Sequence, residues 1–487
     1  MSAGLKPYPA YKDAGAAWLG NVPEHWEVLP LYAVAKPKSI TGRQDRELLS
    51  VYLDRGVIRF SEVEEKRTNV TSEDLSKYQA VDPGDFVLNN QQAWRGSVGV
   101  SAHTGIVSPA YLVLSLDSRL QPEFANLLLR EKVMVSQYLV CSRGVGSIQR
   151  NLYWPHLKRA STWLPSPQEQ STIVRYLDYM ERRIRRYIRA KQTLIKLLGE
   201  QKRAMIERVV AGKVDPRTGG PYTAYRDSGI DWLGEVPENW RVVKLKSLVS
   251  RVTSGSRGWS DFAADSGVLF IRVGNLTRAS IGLKLGDVVR LRLPDSVLSG
   301  EATRTRVQAH DILLSITAYI GSVAVVPEDL EEAYVSQHVA CCRPKAAAAD
   351  PKWVAYVLLS SIGQTHGQLS MYGGTKQGLS LDDVKNYIVV LPPADEQPLL
   401  VERIEKACSR VDTAIIEARQ AVALLREYRV RLIADVVTGE LDVREAVANL
   451  PDEDDEPELR EGGSLITVGD EAGELVDQEA VLEEVEV

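Results

Sequence analysis

The sequence predicts an α+β protein in which two pseudo-repeated α/β domains are separated by two long helices that form an antiparallel coiled coil. Three observations support this prediction. One opening segment occurs twice, a mixed region of short strand-like runs follows each copy, and a long heptad pattern follows each mixed region. The 487 residues exceed the usual size of one hydrophobic core, so several domains are expected.

The opening segment reads YKDAGAAWLGNVPEHWEV at residues 11–28 and YRDSGIDWLGEVPENWRV at residues 225–242. Eleven of the 18 positions are identical, and both tryptophans are among them. Aromatic residues contribute large buried areas to packing surfaces. We therefore expect each segment to pack a domain against a helix through its tryptophans, which are Trp18, Trp26, Trp232 and Trp240.

Residues 27–165 and 241–393 are predicted to be the two folded domains. Short runs such as FVLNN, AYLVLSL, GVLFIRV, DILLSI and GSVAVV are typical of strands. Some landmarks repeat, because Asp85 matches Asp311 and the Gly-Ser-Val that begins at Gly96 matches the one that begins at Gly321. The sequences between these landmarks diverge, so the two domains share a frame and differ in content.

Two long helices are predicted, a central one in residues 166–215 and a C-terminal one in residues 394–447. Each run is preceded by Leu-Pro and Glu-Gln pairs and ends as VVAGKVD or VVTGELD. A glycine directly after the last apolar residue is a common helix C-terminal signal. The remaining segments are an N-terminal scaffold segment at 1–26, the repeated scaffold segment at 216–240, and an acidic tail at 448–487 that its composition predicts to be disordered.

Both helical runs carry apolar residues at the 4-3 spacing of a coiled coil. In the first run these are Ile173, Leu177, Met180, Ile184, Tyr187, Leu194, Leu198 and Met205. In the second run they are Leu400, Ile404, Ala407, Val411, Ala414, Ala418, Ala421, Leu425, Tyr428 and Leu432. Alanines of the second run align with large residues of the first, which favours pairing of the two helices with each other. Burial of each helix in an ordinary domain is the alternative.

The charge distribution is uneven. Residues 452–487 contain 15 acidic residues and one basic residue, so the rest of this −6 chain carries +8. A basic body is compatible with nucleic-acid binding, although many basic proteins bind none. No apolar run reaches the roughly 18 residues that cross a bilayer, which predicts no membrane contact. The four cysteines lack metal-site spacing, which together with the missing membrane span predicts a cytoplasmic protein.

Catalytic signatures are missing from the sequence. It contains no G-x-x-x-x-G-K-[ST], no G-x-G-x-x-G after a strand, no H-E-x-x-H and no G-x-S-x-G. The pairs His310-Asp311 and Asp382-Asp383 are the remaining polar candidates, and such pairs are usually structural. We therefore predict a binding protein that is not an enzyme and has no metal or cofactor of its own.

The duplicated opening segment, the Leu-Pro and Glu-Gln pairs and the V-V-x-G-x-[VL]-D helix ends together resemble the specificity subunit of type I restriction–modification systems. The resemblance extends to about residue 447 and does not include the acidic tail. It implies that two target-recognition domains each recognise half of an asymmetric bipartite site in double-stranded DNA. It also implies two methylation subunits, which bind S-adenosylmethionine and methylate adenine, and motor-nuclease subunits that cleave DNA. The alternatives are a non-catalytic coiled-coil scaffold and an enzyme with an unrecognised DNA-modifying site.

Base recognition requires side chains with paired donors and acceptors, and phosphate contacts require basic residues. In the first domain, the predicted DNA-binding residues are Gln91, Gln92, Trp94, Arg95, Ser147, Gln149 and Arg150. In the second domain, they are Asn275, Arg278, Thr317, Tyr319, Lys376 and Gln377. The first long helix also carries an arginine cluster at residues 182–189. Its arginines could attract DNA phosphates, dock a methylation subunit or form an ordinary solvated helix face.

Overall fold

A computed structural model gives the fold and describes residues 5–15, 20–53, 55–62, 74–145, 149–294, 297, 302–371 and 378–451. The chain divides into two compact units. Unit 1 contains the described residues up to Ala190 and those from Ala421 onward, and unit 2 contains Lys191–Gln420. The boundary lies inside both long helices, which span Pro167–Val210 and Gln397–Val437, so each unit holds part of each helix. The predicted acidic tail lies outside the described residues from residue 452 onward.

The described residues of unit 1 form short strands and three short α-helices before its segments of the long helices. The strands are β1 (Tyr11–Asp13), β2 (Asn21–Pro23), β3 (Glu27–Pro30), β4 (Ala35–Pro37), β5 (Leu49–Tyr52), β6 (Gly56–Arg59), β7 (Gln79–Val81), β8 (Phe86–Asn89), β9 (Val98–Val100), β10 (Gly105–Val107), β11 (Tyr111–Leu116), β12 (Ser142–Val145), β13 (Gln149–Leu152) and β14 (Ser161–Leu164). The helices are Pro122–Leu129, Lys132–Cys141 and Trp154–Leu157. An antiparallel sheet with the order β4-β11-β8-β9 forms its centre.

Unit 2 repeats this pattern. Its strands are β15 (Tyr225–Asp227), β16 (Glu235–Pro237), β17 (Arg241–Lys244), β18 (Val249–Ser254), β19 (Ala263–Ala264), β20 (Val268–Ile271), β21 (Val289–Leu291), β22 (Ile312–Ser315), β23 (Val323–Val325), β24 (Ala333–Val335), β25 (Val339–Pro344) and β26 (Ile388–Leu391). Its short helices are Leu245–Leu248, Ala302–Thr305, Pro351–Leu359, Ser361–Ser370 and Leu381–Asn386, and Arg444–Ala448 follows the second long helix in unit 1.

The central sheets of the two units have the same topology. The order β18-β25-β22-β23 in unit 2 matches β4-β11-β8-β9 in unit 1 strand for strand. The pair β17–β26, which closes the second domain, likewise matches β3–β14. The duplicated frame predicted from the sequence is therefore present in the structure. Apolar side chains fill the core because both faces of each sheet are covered, as the fully buried strand Ile312–Ser315 illustrates.

The opening segments pack against helix ends as predicted. Trp26 and Trp240 are fully buried. In unit 1, the hydroxyl of Tyr11 donates to the carbonyl of Gly439 at 3.1 Å, just beyond the second long helix. In unit 2, the hydroxyl of Tyr225 donates to the carbonyl of Gly212 at 2.9 Å, just beyond the first.

The other two tryptophans of these segments differ from the buried pair. Trp232 is 36% exposed and its ring lies edge-on to His366, so it is only partly in the core. Burial lowers the pKa of His366, because a charged imidazolium is less well solvated there. Trp18 lies outside the described residues.

The Glu-Gln pairs at the N-terminal ends of the long helices are buried anchors. Glu169 accepts a hydrogen bond from the hydroxyl of Tyr8 at 2.8 Å, and Glu396 accepts one from Tyr222 at 2.7 Å. Burial, together with these carboxylates, raises the pKa of both tyrosines above the usual value. The next residue, Gln170, holds the chain by donating to the carbonyl of Pro165 at 2.9 Å.

In the second helix, every residue of the predicted heptad pattern is buried or half-buried, whereas two residues of the pattern in the first helix are exposed. Ile184 is buried, but Tyr187 is 51% exposed and Leu194 is 40% exposed. The half-buried residues in their places are Ile188 and Ile195. A straight α-helix has 3.6 residues per turn, so a strict seven-residue repeat drifts from its buried face by about 20° per heptad.

Candidate nucleic-acid interface

In unit 1, the loop between β8 and β9 lies against the hairpin β12–β13. The amide of Leu152 donates to the carbonyl of Asn90 at 2.9 Å, which joins the hairpin to the loop. The guanidinium of Arg95 lies 4.7 Å from the centroid of the Trp94 ring, and that of Arg150 lies 5.8 Å from it. The structure therefore brings Arg150 together with Trp94 and Arg95, which the sequence predicted in a different segment.

Trp94 supports the two arginines through its ring. Its indole N–H donates to the carbonyl of Gln91 at 2.9 Å, so the nitrogen is already engaged. A cation over an indole face is favourable, and the contact holds each guanidinium in place. Arg95 and Gln91 are exposed, and Gln92 and Arg150 are half-buried. Two fixed guanidinium groups supply the planar donor sets that suit phosphate or guanine.

Two further residues predicted for this domain are Ser147, which lies between β12 and β13 in the sequence, and Gln149, the first residue of β13. Ser147 lies outside the described residues, and only the backbone of Gln149 is described. That backbone pairs with Val145 across the hairpin. Their predicted contacts with DNA remain predictions.

In unit 2, three of the predicted residues meet around the loop between β22 and β23. The guanidinium of Arg278, an exposed residue, donates to the carbonyl of Ile320 within the loop. The hydroxyl of Thr317 lies 2.8 Å from Nδ1 of His338. Tyr319 is half-buried, and its carbonyl accepts from the amide of Ser322 at 3.2 Å. This loop is equivalent to residues 90–96 of unit 1. Each domain therefore presents polar side chains at the equivalent edge of its own central sheet.

Asn275 is not available for DNA contact. The residue is 3% exposed, and its side-chain amide nitrogen donates to the carbonyls of Lys284 and Asp287 at 2.9 Å each. Its side-chain oxygen accepts from the amide of Arg272 at 2.9 Å. The side chain therefore braces a loop, and its predicted role in binding DNA is corrected. Lys376 and Gln377 lie outside the described residues.

Sequence reasoning missed Gln337 and His338, which lie beside Thr317. The amide nitrogen of Gln337 is 3.0 Å from Nε2 of His338. A signal was present, since VSQH at residues 335–338 occupies the place of VSPA at residues 107–110.

The other polar candidates have structural roles. Asp311 is fully buried and accepts from the guanidinium of Arg343 at 2.8 and 3.0 Å, which raises the pKa of that arginine. Asp383 caps the helix that follows Ser380, and Asp382 pairs with Lys385 at 2.8 Å. The residues that the structure describes include no cluster of three or more His, Cys, Asp or Glu placed to hold a metal ion. Within the same described ranges, no helix is long and apolar enough to cross a membrane.

Comparison with known proteins gives consistent matches. Residues 237–422 match the family model of the type I restriction modification DNA specificity domain. The specificity subunit of the type I restriction enzyme EcoBI of Escherichia coli is 26% identical over 208 residues, which are 42% of this chain and 43% of that protein. The specificity subunit of MjaVIII from Methanocaldococcus jannaschii is 22% identical over 439 residues, which are 87% of this chain and 95% of that protein.

A solved structure supports the fold. A chain of a type I restriction–modification system is 17% identical and superposes with a TM-score of 0.59, covering 86% of this chain and 99% of that one. The duplicated frame, the matching domain model and the relatives that span nearly the whole chain agree. On this evidence the chain is similar, along most of its length, to the specificity subunits of type I restriction–modification systems.

Proposed function

We propose that this chain recognises DNA sequence for a type I restriction–modification complex and is itself non-catalytic. One observation carries the proposal. The two units have the same central sheet, and the loops at one edge of that sheet carry different polar residues, Trp94 and Arg95 in one unit and Arg278 and Thr317 in the other. A constant frame with variable loops is the arrangement expected of two domains that recognise different sequences. The DNA site that this chain recognises is therefore bipartite and asymmetric.

The proposed partners follow from the family. The relatives named above are specificity subunits of type I restriction enzymes, so we propose that this chain positions two methylation subunits and joins motor-nuclease subunits in the cytoplasm. S-adenosylmethionine would bind to the methylation subunit. The work of this chain is to bind the DNA and to fix where the partners act.

The two long helices are proposed to pair as an antiparallel coiled coil that sets the gap between half-sites. Glu181 lies 2.8 Å from Arg429, and Lys202 lies 2.7 Å from Asp412. A residue later in the first helix thus contacts a residue earlier in the second helix, as expected of antiparallel helices. A heptad adds about 10 Å to a helix, which is about three base pairs of DNA. Insertion of one heptad into both helices should lengthen the gap, and an unchanged gap would refute this role.

The first test is co-expression with the methylation subunit of the same system, followed by long-read mapping of methylated adenines. We expect one asymmetric bipartite motif. Replacement of residues 27–165 by the matching domain of a related subunit should change one half of the motif and leave the other intact. If the complex forms and no motif appears, the chain is a scaffold and the proposal fails.

A further inference from the structure

The two domains have equivalent turns, at residues 108–111 and 336–339, which carry different side chains. In unit 1, the amide of Tyr111 donates to the carbonyl of Ser108 at 3.0 Å, and the residues between them are proline and alanine. In unit 2, the amide of Val339 donates to the carbonyl of Ser336 at 3.1 Å, and the residues between them are Gln337 and His338. Because proline and alanine suffice to form the turn, its backbone does not require the glutamine and histidine side chains.

These side chains form a short hydrogen-bonded chain that ends on Thr317. An amide nitrogen only donates, so Nε2 of His338 accepts from Gln337 across 3.0 Å. The imidazole proton then lies on Nδ1 and is donated to the hydroxyl oxygen of Thr317 across 2.8 Å. One N–H and the carbonyl oxygen of the Gln337 amide remain for a ligand, and all three residues are half-buried.

The turn that carries Gln337 is held rigidly. The amide of Gly255 donates to the carbonyl of Ser336 at 3.1 Å, and a β-carbon on Gly255 would lie 1.9 Å from the carbonyl oxygen of Val335. The next residue after the turn, Val339, begins a central strand of the sheet. Gln337 stands on this fixed backbone and its side chain is hydrogen-bonded to His338, so it loses less conformational entropy on binding, which favours a recognition role.

We propose that Gln337 recognises one adenine in the half-site of the second domain, with His338 and Thr317 as positioning residues. Adenine presents an N6 donor and an N7 acceptor on its major-groove edge, and the free oxygen and N–H of the glutamine amide complement them. The proline and alanine at this turn in unit 1 lack such groups, so the two half-sites differ at this position. The inference rests on the proposed function and names one of its specificity determinants.

The test maps methylated adenines for the complex that contains Gln337→Ala beside the wild-type complex. We expect one adenine of the second half-site to become degenerate, while the first half-site stays unchanged. Discrimination at that position should fall roughly 5- to 150-fold, the value of one bidentate base contact. Gln308→Ala, which removes an exposed glutamine elsewhere in the same domain, is the matched control and should leave the motif intact.

A second measurement uses the mapped duplex with 7-deazaadenine at that position, which removes the N7 acceptor. This base should weaken binding of the wild-type complex and have no further effect on Gln337→Ala. The double variant Gln337→Pro with His338→Ala copies the turn of unit 1 and should relax the same position. His338→Gln keeps an acceptor near the place of Nε2, so it should restore part of the discrimination that His338→Ala loses.

The outcomes separate this inference from the proposed function. If the wild-type complex gives a bipartite motif and the Gln337 variants leave it unchanged, the inference is overturned and the proposed function stands. If the wild-type complex forms and gives no motif, both fail. Loss of specificity in His338→Ala without any recovery in His338→Gln would remove the positioning role of His338.

Discussion

Gly439 lies so close to Trp26 that a β-carbon on the glycine would come 3.0 Å from the indole ring and 2.5 Å from Cδ of Pro23. Unit 2 repeats the relationship, since a β-carbon on Gly212 would lie 2.4 Å from Cγ of Pro237. The repeated opening segment and the repeated helix end thus form one packing unit. Proline rings cannot move aside as a flexible side chain would, so both glycines are required by space as well as by conformation.

Gly439→Ala should destabilise unit 1 by about 2–3 kcal/mol, through steric overlap and a left-handed backbone at φ 82°. Urea unfolding of the purified chain measures the change. Gly42→Ala is the matched control, because Gly42 has φ 79° and open space around its β-position. Conformational strain alone should cost about 1 kcal/mol there. Equal losses in the two variants would show that contact with Trp26 and Pro23 adds nothing.

The buried lysine on the first long helix gives a second stability prediction. The side chain of Lys202 is 8% exposed, and its ammonium group lies 2.7 Å from Asp412. Asp412→Ala should cost about 2–4 kcal/mol, because it leaves the ammonium buried without its partner. Lys202→Met should be close to neutral, since a similar volume then packs without a charge. Urea denaturation of both variants tests this, and a larger loss in Lys202→Met would contradict it.

Alkaline pH should destabilise unit 1 through Tyr176. Burial raises the pKa of this tyrosine to about 12, whereas an unfolded tyrosine ionises near pH 10. Between these values the unfolded chain loses a proton that the folded chain retains, so stability falls as pH rises. Tyr176→Phe should remove up to about 2–3 kcal/mol of the loss between pH 9 and pH 12. Unfolding midpoints across this range measure it, and identical pH profiles for variant and wild type would exclude Tyr176 as a source.

Local sequence signals predicted the strands well and the loop contacts less well. The run FVLNN became the strand Phe86–Asn89 because its apolar residues suit a sheet buried on both faces. Asparagine is a residue type that often contacts DNA bases, so the sequence alone suggested such a role for Asn275. Its burial results from a tertiary contact with the carbonyls of Lys284 and Asp287, which the local sequence does not reveal. The heptad pattern wrongly predicted that Tyr187 is buried, because the pattern repeats every 3.5 residues whereas a straight α-helix has 3.6 residues per turn.

The pairing of Trp94 with Arg95 and Arg150 gives the last prediction, on DNA binding. Arg95 is exposed and held over the indole ring, so we expect it to contact phosphate rather than a base edge. Arg95→Ala should weaken binding of the complex to the mapped duplex and to a scrambled duplex by similar factors. The slope of log affinity against log salt concentration should fall by about one, because one fewer counterion is released.

Trp94→Leu should act in the same direction as Arg95→Ala, because it removes the ring that fixes the guanidinium. Arg119→Ala is the matched control, an arginine of the same unit whose side chain pairs with Asp117 instead of an aromatic ring. It should change neither the affinity nor the salt slope. A loss confined to the mapped duplex in Arg95→Ala would instead assign this arginine to base recognition, since phosphate contacts carry no sequence information.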